Sequence, residues 1–324
     1  MSTQKHIVVI GGGTGTSTVV TGLKTKPVEI TAVVSMADSG GSTGRLRDEF
    51  GFQPVGDLRQ SLAALASSSS QTWIRNLLLY RFEKGEGLKG HNLGNLILTA
   101  LQDMAGSTNS ALEIAEQVFR LDGKVYPVTT TPVQLRIEYE DGSIVVGEDS
   151  LNENTMVGKK IRGVSLTPEA HLYEKAANAI AAADAVVIGP GDYYASIMAA
   201  LAPKGMKDVF RAIRGKVIYV VNLMTRYNQT HEMSVEDHVR GIEEAIGRKL
   251  DIILVNNGTI PREVLQDYAK EKEYPVEVTG SDARYHQLDL ISDQIAEQSK
   301  ADVLHRSLLR HDPAKLAIAL LEVL

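Results

Sequence analysis

A short apolar strand that runs into a glycine-rich loop constrains the fold of this chain most. Residues 7–10 read Ile-Val-Val-Ile and lead directly into Gly11, Gly12, Gly13, Thr14 and Gly15, ahead of a stretch with helical character. Glycine lets backbone N–H groups approach a phosphate without a Cβ atom in the way, and a helix start carries partial positive charge. We therefore predict a strand, a phosphate-binding loop and a helix. A tight turn that serves only packing is the alternative.

The loop departs from two familiar phosphate motifs. The dinucleotide fingerprint has a third glycine where this chain has Thr16, and an acid at the end of the second strand, where Val34 and Ser35 stand. The lysine of a Walker loop is missing as well. An enzyme that uses a nicotinamide cofactor is therefore the weakest of the functions that we consider.

Composition indicates an ordinary globular protein. The chain has 324 residues, 43% hydrophobic side chains and a formal net charge of -6, so the charge favours neither nucleic acid nor a membrane surface as a partner. The lack of cysteine excludes disulfides and thiolate nucleophiles and agrees with a reducing cytoplasm. We find no bilayer-length apolar run and no signal-peptide pattern, and expect a cytoplasmic protein without membrane insertion.

Short β-branched runs alternate with helical periodicity along the chain, which predicts parallel strands covered by helices on both faces. The predicted strands after the first are residues 29–34, 185–188, 216–221 and 252–255. We predict an α/β protein with a Rossmann-like three-layer sandwich and a mostly parallel sheet, in a single domain over residues 1–324. Because parallel strands end at one edge, their loops are expected to form one crevice. The candidate contacts there are Gly189, Gly191, Asn222, Met224, Thr225, Asn256 and Asn257.

Two regions between the second and third predicted strands differ from this pattern. Helical spacing of Leu58, Leu62 and Leu65 predicts one helix, and Trp73 is expected in the core of the next, with a loop at residues 67–70 between them. From residue 124 to 147 the pattern alternates, and Asp-Gly at 141–142 signals a two-residue turn. We predict an antiparallel β-hairpin insertion there, on the edge of the main sheet.

A second glycine cluster follows the second predicted strand. Residues 38–47 read Asp-Ser-Gly-Gly-Ser-Thr-Gly-Arg-Leu-Arg, and residues 54–59 and 90–96 add Pro-Val-Gly-Asp-Leu-Arg and Gly-His-Asn-Leu-Gly-Asn-Leu. Glycines and hydroxyls admit phosphate oxygens, and arginine can bind them through charge-assisted hydrogen bonds. The candidate ligand contacts in these segments are Asp38, Ser39, Gly40, Gly41, Ser42, Gly44, Arg45, Asp57, His91, Asn92 and Asn95.

Taken in order with the loops after the later strands and with Arg-His-Asp-Pro at 310–313, these strings resemble the bacterial gluconeogenesis factor family (YvcK) over nearly the whole chain. That family is a branch of the 2-phospho-L-lactate transferase (CofD)-like superfamily. The resemblance implies a nucleotide or nucleotide sugar as the ligand, with Arg310 as a diphosphate contact. It implies binding of a UDP-sugar and an influence on carbon metabolism (gluconeogenic growth), cell shape and wall synthesis. Regulatory protein partners and a homo-oligomer are kept as candidate assemblies.

Three functions remain open. We favour a regulator that binds a UDP-sugar without turnover; the alternatives are a transferase of phospholactyl type that uses a nucleotide diphospho donor, and an NAD-binding enzyme. Mg²⁺ is the candidate metal and Asp57 its candidate ligand, although Asp57 suits a helix cap equally well. The resemblance implies two consecutive aspartates, usual in relatives, where this chain has Asp38 and Ser39. We therefore expect nucleotide binding to depend little on Mg²⁺. We assign no catalytic residue.

Overall fold

The structure is a computed structural model that describes residues 4–38, 41–66, 72–152, 158–294 and 308–324. The predictions for Ser39, Gly40 and the loop at 67–70 concern residues outside this range. The strands are β1 Lys5–Gly11, β2 Val28–Val34, β3 Lys124–Pro127, β4 Gln134–Tyr139, β5 Ile144–Val146, β6 Ile161–Thr167, β7 Ala185–Ile188, β8 Lys216–Val220, β9 Ile252–Asn256 and β10 Tyr285–Leu288.

The helices alternate with these strands through most of the chain. They are α1 Gly13–Leu23, α2 Gly41–Phe50, α3 Gly56–Leu65, α4 Thr72–Leu79, α5 Leu93–Ala105, α6 Thr108–Phe119, α7 Glu174–Ala182, α8 Ala199–Leu201, α9 Met206–Ala212, α10 Val235–Ile246, α11 Arg262–Lys270 and α12 Pro313–Glu322. A π-helical turn, Tyr193–Met198, precedes α8. No helix in the described part of the chain is both long and apolar enough to cross a membrane.

The main sheet has seven strands in the order β10-β9-β8-β7-β1-β2-β3, and every neighbouring pair is parallel. This confirms the predicted α/β class with a mostly parallel sheet. The chain builds the sheet outward from β1 in one direction and then, from β7 onward, in the other. The order therefore reverses between β1 and β7, where open parallel sheets place their ligands.

The core explains why the predicted strands were easy to find. Residues 7–10 of β1 and the apolar residues of β7 are fully or almost fully buried, because parallel strands covered on both faces are apolar throughout. Each such Val or Ile side chain stabilises the fold by roughly 1.5–3 kcal/mol relative to an exposed position. Leu58, Leu62 and Leu65 are also buried, as the helical spacing of α3 predicts.

Two expectations about the middle of the chain were wrong in detail. The turn at Asp141 and Gly142 joins β4 to β5 in an antiparallel hairpin, as predicted, but this hairpin pairs with β6 in a separate three-stranded sheet. It does not extend the main sheet. Residues Lys124–Pro127 are instead the parallel edge strand β3, paired with β2. Alternation identifies a strand with one exposed face but carries no information about its partner.

Trp73 is a further correction, because its surface is 76% exposed rather than buried in the core. The eight-residue helix α4 buries Leu78, which faces away from Trp73 on a helix with 100° between successive residues. The apolar pattern of α4 identified a helix correctly. It could not show which of its two apolar sides faces the core.

Candidate functional site

The candidate site is the crevice at the carboxyl ends of β1, β2 and β7. The Gly189 N–H donates to the Ile10 carbonyl at 2.9 Å, and the Ser35 N–H donates to the Gly11 carbonyl at 2.8 Å. These bonds tie the loops after β7 and β2 to the end of β1. The predicted convergence of Gly11, Gly189 and the start of the second glycine cluster is therefore present in the fold.

The glycine loop begins helix α1 without a capping side chain. Gly12 is the N-cap residue and has no side chain that could cap the helix, and the first turn of α1 holds no acidic residue. Gly13 has a φ of 61°, a left-handed conformation that favours glycine. Thr16, Ser17 and Thr18 donate their hydroxyls back to helix carbonyls, so they do not cap this end. The first N–H groups of a helix lack acceptors within the helix, so the start of this eleven-residue helix, directly after β1, is a candidate anion site.

Gly15 allows the segments after β1 and β7 to touch. A Cβ atom on Gly15 would lie 2.0 Å from the Pro190 carbonyl oxygen, well inside van der Waals contact. A Cβ atom on Gly191 would lie 3.6 Å from the Gly12 carbonyl oxygen, an ordinary contact, so the close approach does not require glycine there. The packing role that we kept as an alternative is therefore real for Gly15. It coexists with the helix start at Gly12 and Gly13, where the N-cap residue carries no side chain.

Two carboxylates flank the crevice. A Cβ atom on Gly12 would lie 2.2 Å from Asp57 Oδ2, and one on Gly56 would lie 2.3 Å from Asp38 Oδ2 and 2.6 Å from Thr43 Oγ1. Asp57 stands in the first turn of α3, where its charge also complements the helix dipole. The described residues hold no group of three or more histidine or acidic side chains that could bind a metal. Asp38 and Asp57 would thus hold Mg²⁺ only together with ligand phosphate oxygens.

Ser42 is the centre of a buried hydrogen-bond network that joins α2 to α5. Its hydroxyl accepts from the Asn92 N–H and from Asn95 Nδ2, each at 3.3 Å, and lies 3.2 Å from His91 Nδ1. Asn92 also caps α5, since its side chain accepts from the Asn95 N–H. Burial, followed by the nearby Arg45 cation, lowers the pKa of His91 and favours its neutral form. The structure gives these predicted contacts a role in holding the loop.

Arg45, Gly41 and Gly44 all belong to α2, at the crevice end of the helix. The Arg45 side chain is exposed on this helix, and its Nη2 lies 3.3 Å from the position of a Cβ on Gly90. Gly44 is buried beside the network around Ser42. Arg45 is thus a cation at the edge of the crevice rather than inside it.

Most polar candidates at the far strand ends are engaged with the protein itself. The Asn256 side chain accepts from the Leu290 and Gly258 N–H groups, and Asn257 Nδ2 donates to the Gln287 carbonyl. Thr225 Oγ1 accepts from the Tyr274 N–H, and Met224 packs in a small apolar cluster beside Pro275. Their part in ligand binding stays a prediction, and the geometry shows a structural part for each.

Asn222 differs from these candidates because its Oδ1 is buried and has no hydrogen-bond partner among the described residues. The adjacent Val221 carbonyl accepts a hydrogen bond from the ring of His311, a fully enclosed side chain whose pKa burial lowers to about 4. Arg310 precedes His311 and is half-buried. The terminal Arg-His-Asp-Pro string therefore lies beside the end of β8, near Asn222, and this part of the predicted convergence is also present.

Two polar residues were not among the candidate contacts predicted from the sequence. Asp192 caps the π-helical turn and accepts from Gln229 Nε2 at 2.9 Å, which fixes the loop after β7. Its position after Gly-Pro-Gly was a usable signal. Gln53 has two buried amide atoms without a hydrogen-bond partner in the described chain. A single glutamine in a loop carries no pattern that could have revealed it.

The parallel sheet, its order reversal and the glycine loops beside it define an α/β protein with a candidate ligand site at the carboxyl edge of the sheet. Comparison with known families agrees, since residues 7–296 match the model of the family described as 2-phospho-L-lactate transferase CofD. The chain belongs to the CofD family, and the resemblance seen in its sequence is confirmed.

The similarity to relatives within this family extends along the entire chain. The gluconeogenesis factor of Bacillus subtilis is 39% identical over 327 residues, which cover 100% of this chain and 99% of that protein. The gluconeogenesis factor of Halalkalibacterium halodurans is 38% identical and covers 98% and 96%, respectively. A crystal structure of a Bacillus halodurans protein superposes with a TM-score of 0.87 at 36% identity, covering 98% of this chain and 99% of that one. This protein is therefore CofD-like and similar to proteins linked by name to carbon metabolism.

Proposed function

We propose that this protein binds a UDP-sugar in the crevice and acts as a cytoplasmic regulator of carbon metabolism, cell shape and wall synthesis, without turnover. The observation that carries the proposal is the position of the glycine loop and the start of α1 at the reversal of strand order. The names of the relatives support the link to carbon metabolism. The proposed UDP-sugar ligand and the roles in cell shape and wall synthesis rest on the family resemblance.

The diphosphate is assigned to the N–H groups of Gly13, Thr14 and Gly15. Helix starts attract anions through their free N–H groups and the helix dipole together. The Asp57 carboxylate beside Gly12 would repel a diphosphate at close range, so the phosphates are expected on the side of the loop away from it or with a cation between. Arg310 and Arg45 are the candidate cations.

The base or sugar is assigned to the end of β8. Asn222 has a buried carbonyl oxygen that lacks a partner in the described chain, and a ligand N–H would satisfy it. A site that reads one base by hydrogen bonds leaves those groups unpaired when the wrong base enters. Among the residues that the structure describes, Asn222 is therefore our best candidate for recognising the base.

A ligand-dependent melting screen tests the proposal. The panel is UDP-N-acetylglucosamine, UDP-glucose, GDP and NAD, applied to the full chain. A ligand at about 1,000 times its dissociation constant stabilises the folded state by roughly 4 kcal/mol, an easily detected shift. We expect the UDP-sugars to raise the melting temperature most. A shift with NAD alone would reject the proposal.

A phospholactyl-type transferase is the second candidate, and the pair Asp38 and Asp57 favours it. These carboxylates, with phosphate oxygens, suit Mg²⁺, which would neutralise charge on the transferred group. We still expect weak Mg²⁺ dependence, because Ser39 stands where the family resemblance implies a second consecutive aspartate. The assay supplies a nucleotide diphospho donor, a deazaflavin acceptor and Mg²⁺ and follows the product by mass spectrometry. Turnover by the unchanged chain would reject the regulator proposal in favour of the transferase. Product from Ser39→Asp alone would show that the transferase activity was lost through the change at residue 39.

A further inference from the structure

Exposed apolar side chains are concentrated in the helical segment between β2 and β3. Nine of the 13 large apolar side chains that are exposed in the described chain lie between residues 50 and 118. The most continuous group is on α4, where Trp73, Leu77 and Tyr80 are 76%, 47% and 52% exposed. Trp73 and Leu77 are one turn apart, and the Tyr80 N–H donates to the Leu77 carbonyl at 3.3 Å, which keeps Tyr80 on the same side. We call these three residues the α4 stripe.

The backbone that carries the α4 stripe is fixed at both neighbouring helices. Leu78 is fully buried, and its carbonyl accepts from Arg59 Nη1 of α3 at 3.2 Å. The Tyr80 carbonyl accepts from the Leu93 N–H at the start of α5, at 2.8 Å. Because these contacts already order the helix, docking of another surface on the stripe costs little further backbone entropy.

The exposed side of α4 is apolar and carries no charge. Its exposed residues between positions 72 and 80 are all uncharged: Thr72, Trp73, Asn76, Leu77, Leu79 and Tyr80. The cores of protein interfaces are depleted of charged residues, and Trp and Tyr are enriched among the residues that dominate binding. A helix that lies on a membrane surface presents Lys and Arg beside its apolar side instead. The chemistry of α4 therefore favours an uncharged, apolar protein surface as the partner.

The area of the α4 stripe matches the centre of a stable dimer interface. With aromatic side chains of about 150–250 Å², its three side chains together expose about 350 Å². A standard interface takes about 800 Å² from each partner, of which about 60% is non-polar. The stripe supplies most of that apolar area, and Leu79, which is 37% exposed, adds to it.

We infer that α4 is the contact surface of a homodimer, in which the α4 stripe packs against the same stripe of a second copy of this chain. A two-fold contact brings one surface patch against itself, so the patch must be complementary to its own copy. An uncharged apolar stripe meets this condition, whereas a patch of one charge would repel its copy. The contact is independent of the ligand proposed for the crevice, so failure of either proposal leaves the other standing.

Two measurements on the full chain test the dimer. Sedimentation velocity over a range of protein concentrations gives the mass of the species and the dissociation constant. Trp73 is the only tryptophan in the sequence, so intrinsic fluorescence reports on the α4 stripe itself. We expect a monomer–dimer equilibrium, with the emission moving to shorter wavelength as the dimer forms, because the indole leaves water.

Two variants separate this surface from any other contact between copies. Leu77→Asp would place two like charges in the contact and should stay monomeric, with an emission wavelength that does not change with concentration. Trp73→Ala should raise the dissociation constant at least about tenfold, since a central tryptophan commonly dominates an interface. Ile318→Asp, at a 51% exposed residue of α12, is the control and should dimerise as the unchanged chain does. Far-UV circular dichroism checks that each variant is folded.

Four results would each overturn the inference. They are a monomer at every concentration, a dimer that persists in both Leu77→Asp and Trp73→Ala, a dimer that leaves the Trp73 emission unchanged, and growth into assemblies larger than a dimer. Vesicles of phosphatidylglycerol are added to the unchanged chain as a separate arm. A shift of the emission by vesicles without self-association would assign the α4 stripe to a membrane surface and would also reject the dimer.

Discussion

The Asp57 carboxylate occupies the space next to Gly12 that any side chain at residue 12 would need. A Cβ atom there would lie 2.2 Å from Asp57 Oδ2 and 3.3 Å from Ser196 Cβ. The obstacle on the α3 side is the end of a side chain, which can rotate away, rather than backbone. A substitution at Gly12 therefore displaces Asp57 as well as narrowing access to the start of α1.

Gly12→Ala is expected to weaken UDP-N-acetylglucosamine binding at least about tenfold, the equivalent of 1.4 kcal/mol. Asp57→Ala shows how much of this loss comes from the displaced carboxylate, and the double variant measures their coupling, since residues in contact are not additive. Calorimetry gives the three dissociation constants. Unchanged affinity of Gly12→Ala for every ligand in the screen would show that the diphosphate does not lie at this loop.

Gly15→Ala is predicted to destabilise the fold rather than to act on binding alone. The new methyl group would lie 2.0 Å from the Pro190 carbonyl oxygen, so the loops after β1 and β7 must separate. Overpacking of this kind costs typically about 1–3 kcal/mol. Gly163→Ala is the matched control, because nothing lies within 4 Å of a Cβ at that position. Urea denaturation should show a lower midpoint for Gly15→Ala only; equal midpoints would contradict the contact.

Stability should fall as the pH decreases from about 6.5 to about 4. Burial lowers the pKa of His238 and of His311 from 6.5 to about 4, so in this window the unfolded chain binds more protons than the folded chain. Because the folded state disfavours the charged imidazole, each histidine lowers the free energy of unfolding by at most roughly 3 kcal/mol. This loss is absent above the window and complete below it.

His238→Gln tests this pH dependence and can retain the contact with Tyr219 Oη, which lies 3.2 Å from His238 Nδ1. Urea denaturation across the window should give a shallower dependence of unfolding free energy on pH for the variant. His171→Gln, at an exposed histidine, serves as the control. An identical slope for the unchanged chain and His238→Gln would refute the assignment.

Asn222→Leu should reduce discrimination between bases. We expect the unchanged chain to bind a UDP-sugar at least about tenfold more tightly than GDP, because the wrong base leaves polar groups unpaired. The variant removes the buried Oδ1 and should bring the two affinities closer together. Asn178→Ala, at an exposed asparagine of α7 outside the candidate contacts, is the control and should keep the preference. Equal affinities in the unchanged chain would favour a general phosphate site.

Sequence patterns predicted the main sheet well because its strands are buried on both faces. Residues 7–10 and 185–188 are continuous apolar runs that few other structures accommodate, and their glycine loops mark where each strand ends. The partner of a half-buried strand is set by distant residues. For that reason the alternating region around Asp141 gave the correct hairpin in the wrong sheet.

The sequence predicted which loops form the candidate site, but it did not predict what each side chain in these loops contacts. Glycine spacing located the crevice, whereas the network around Ser42 and the bonds of Asn256 depend on which side chains the fold brings together. Gln53 shows the same limit. Its significance comes from burial without a partner, a property that only the packed structure contains.

Calorimetric titration of UDP-N-acetylglucosamine into the full chain tests the central proposal most directly. We predict saturable binding with one ligand per chain, displacement by UDP and weakening in Gly12→Ala, while Gly163→Ala binds as the unchanged chain does. The absence of saturable binding, or binding that Gly12→Ala and Gly163→Ala leave equally intact, would contradict a UDP-sugar site at the start of α1.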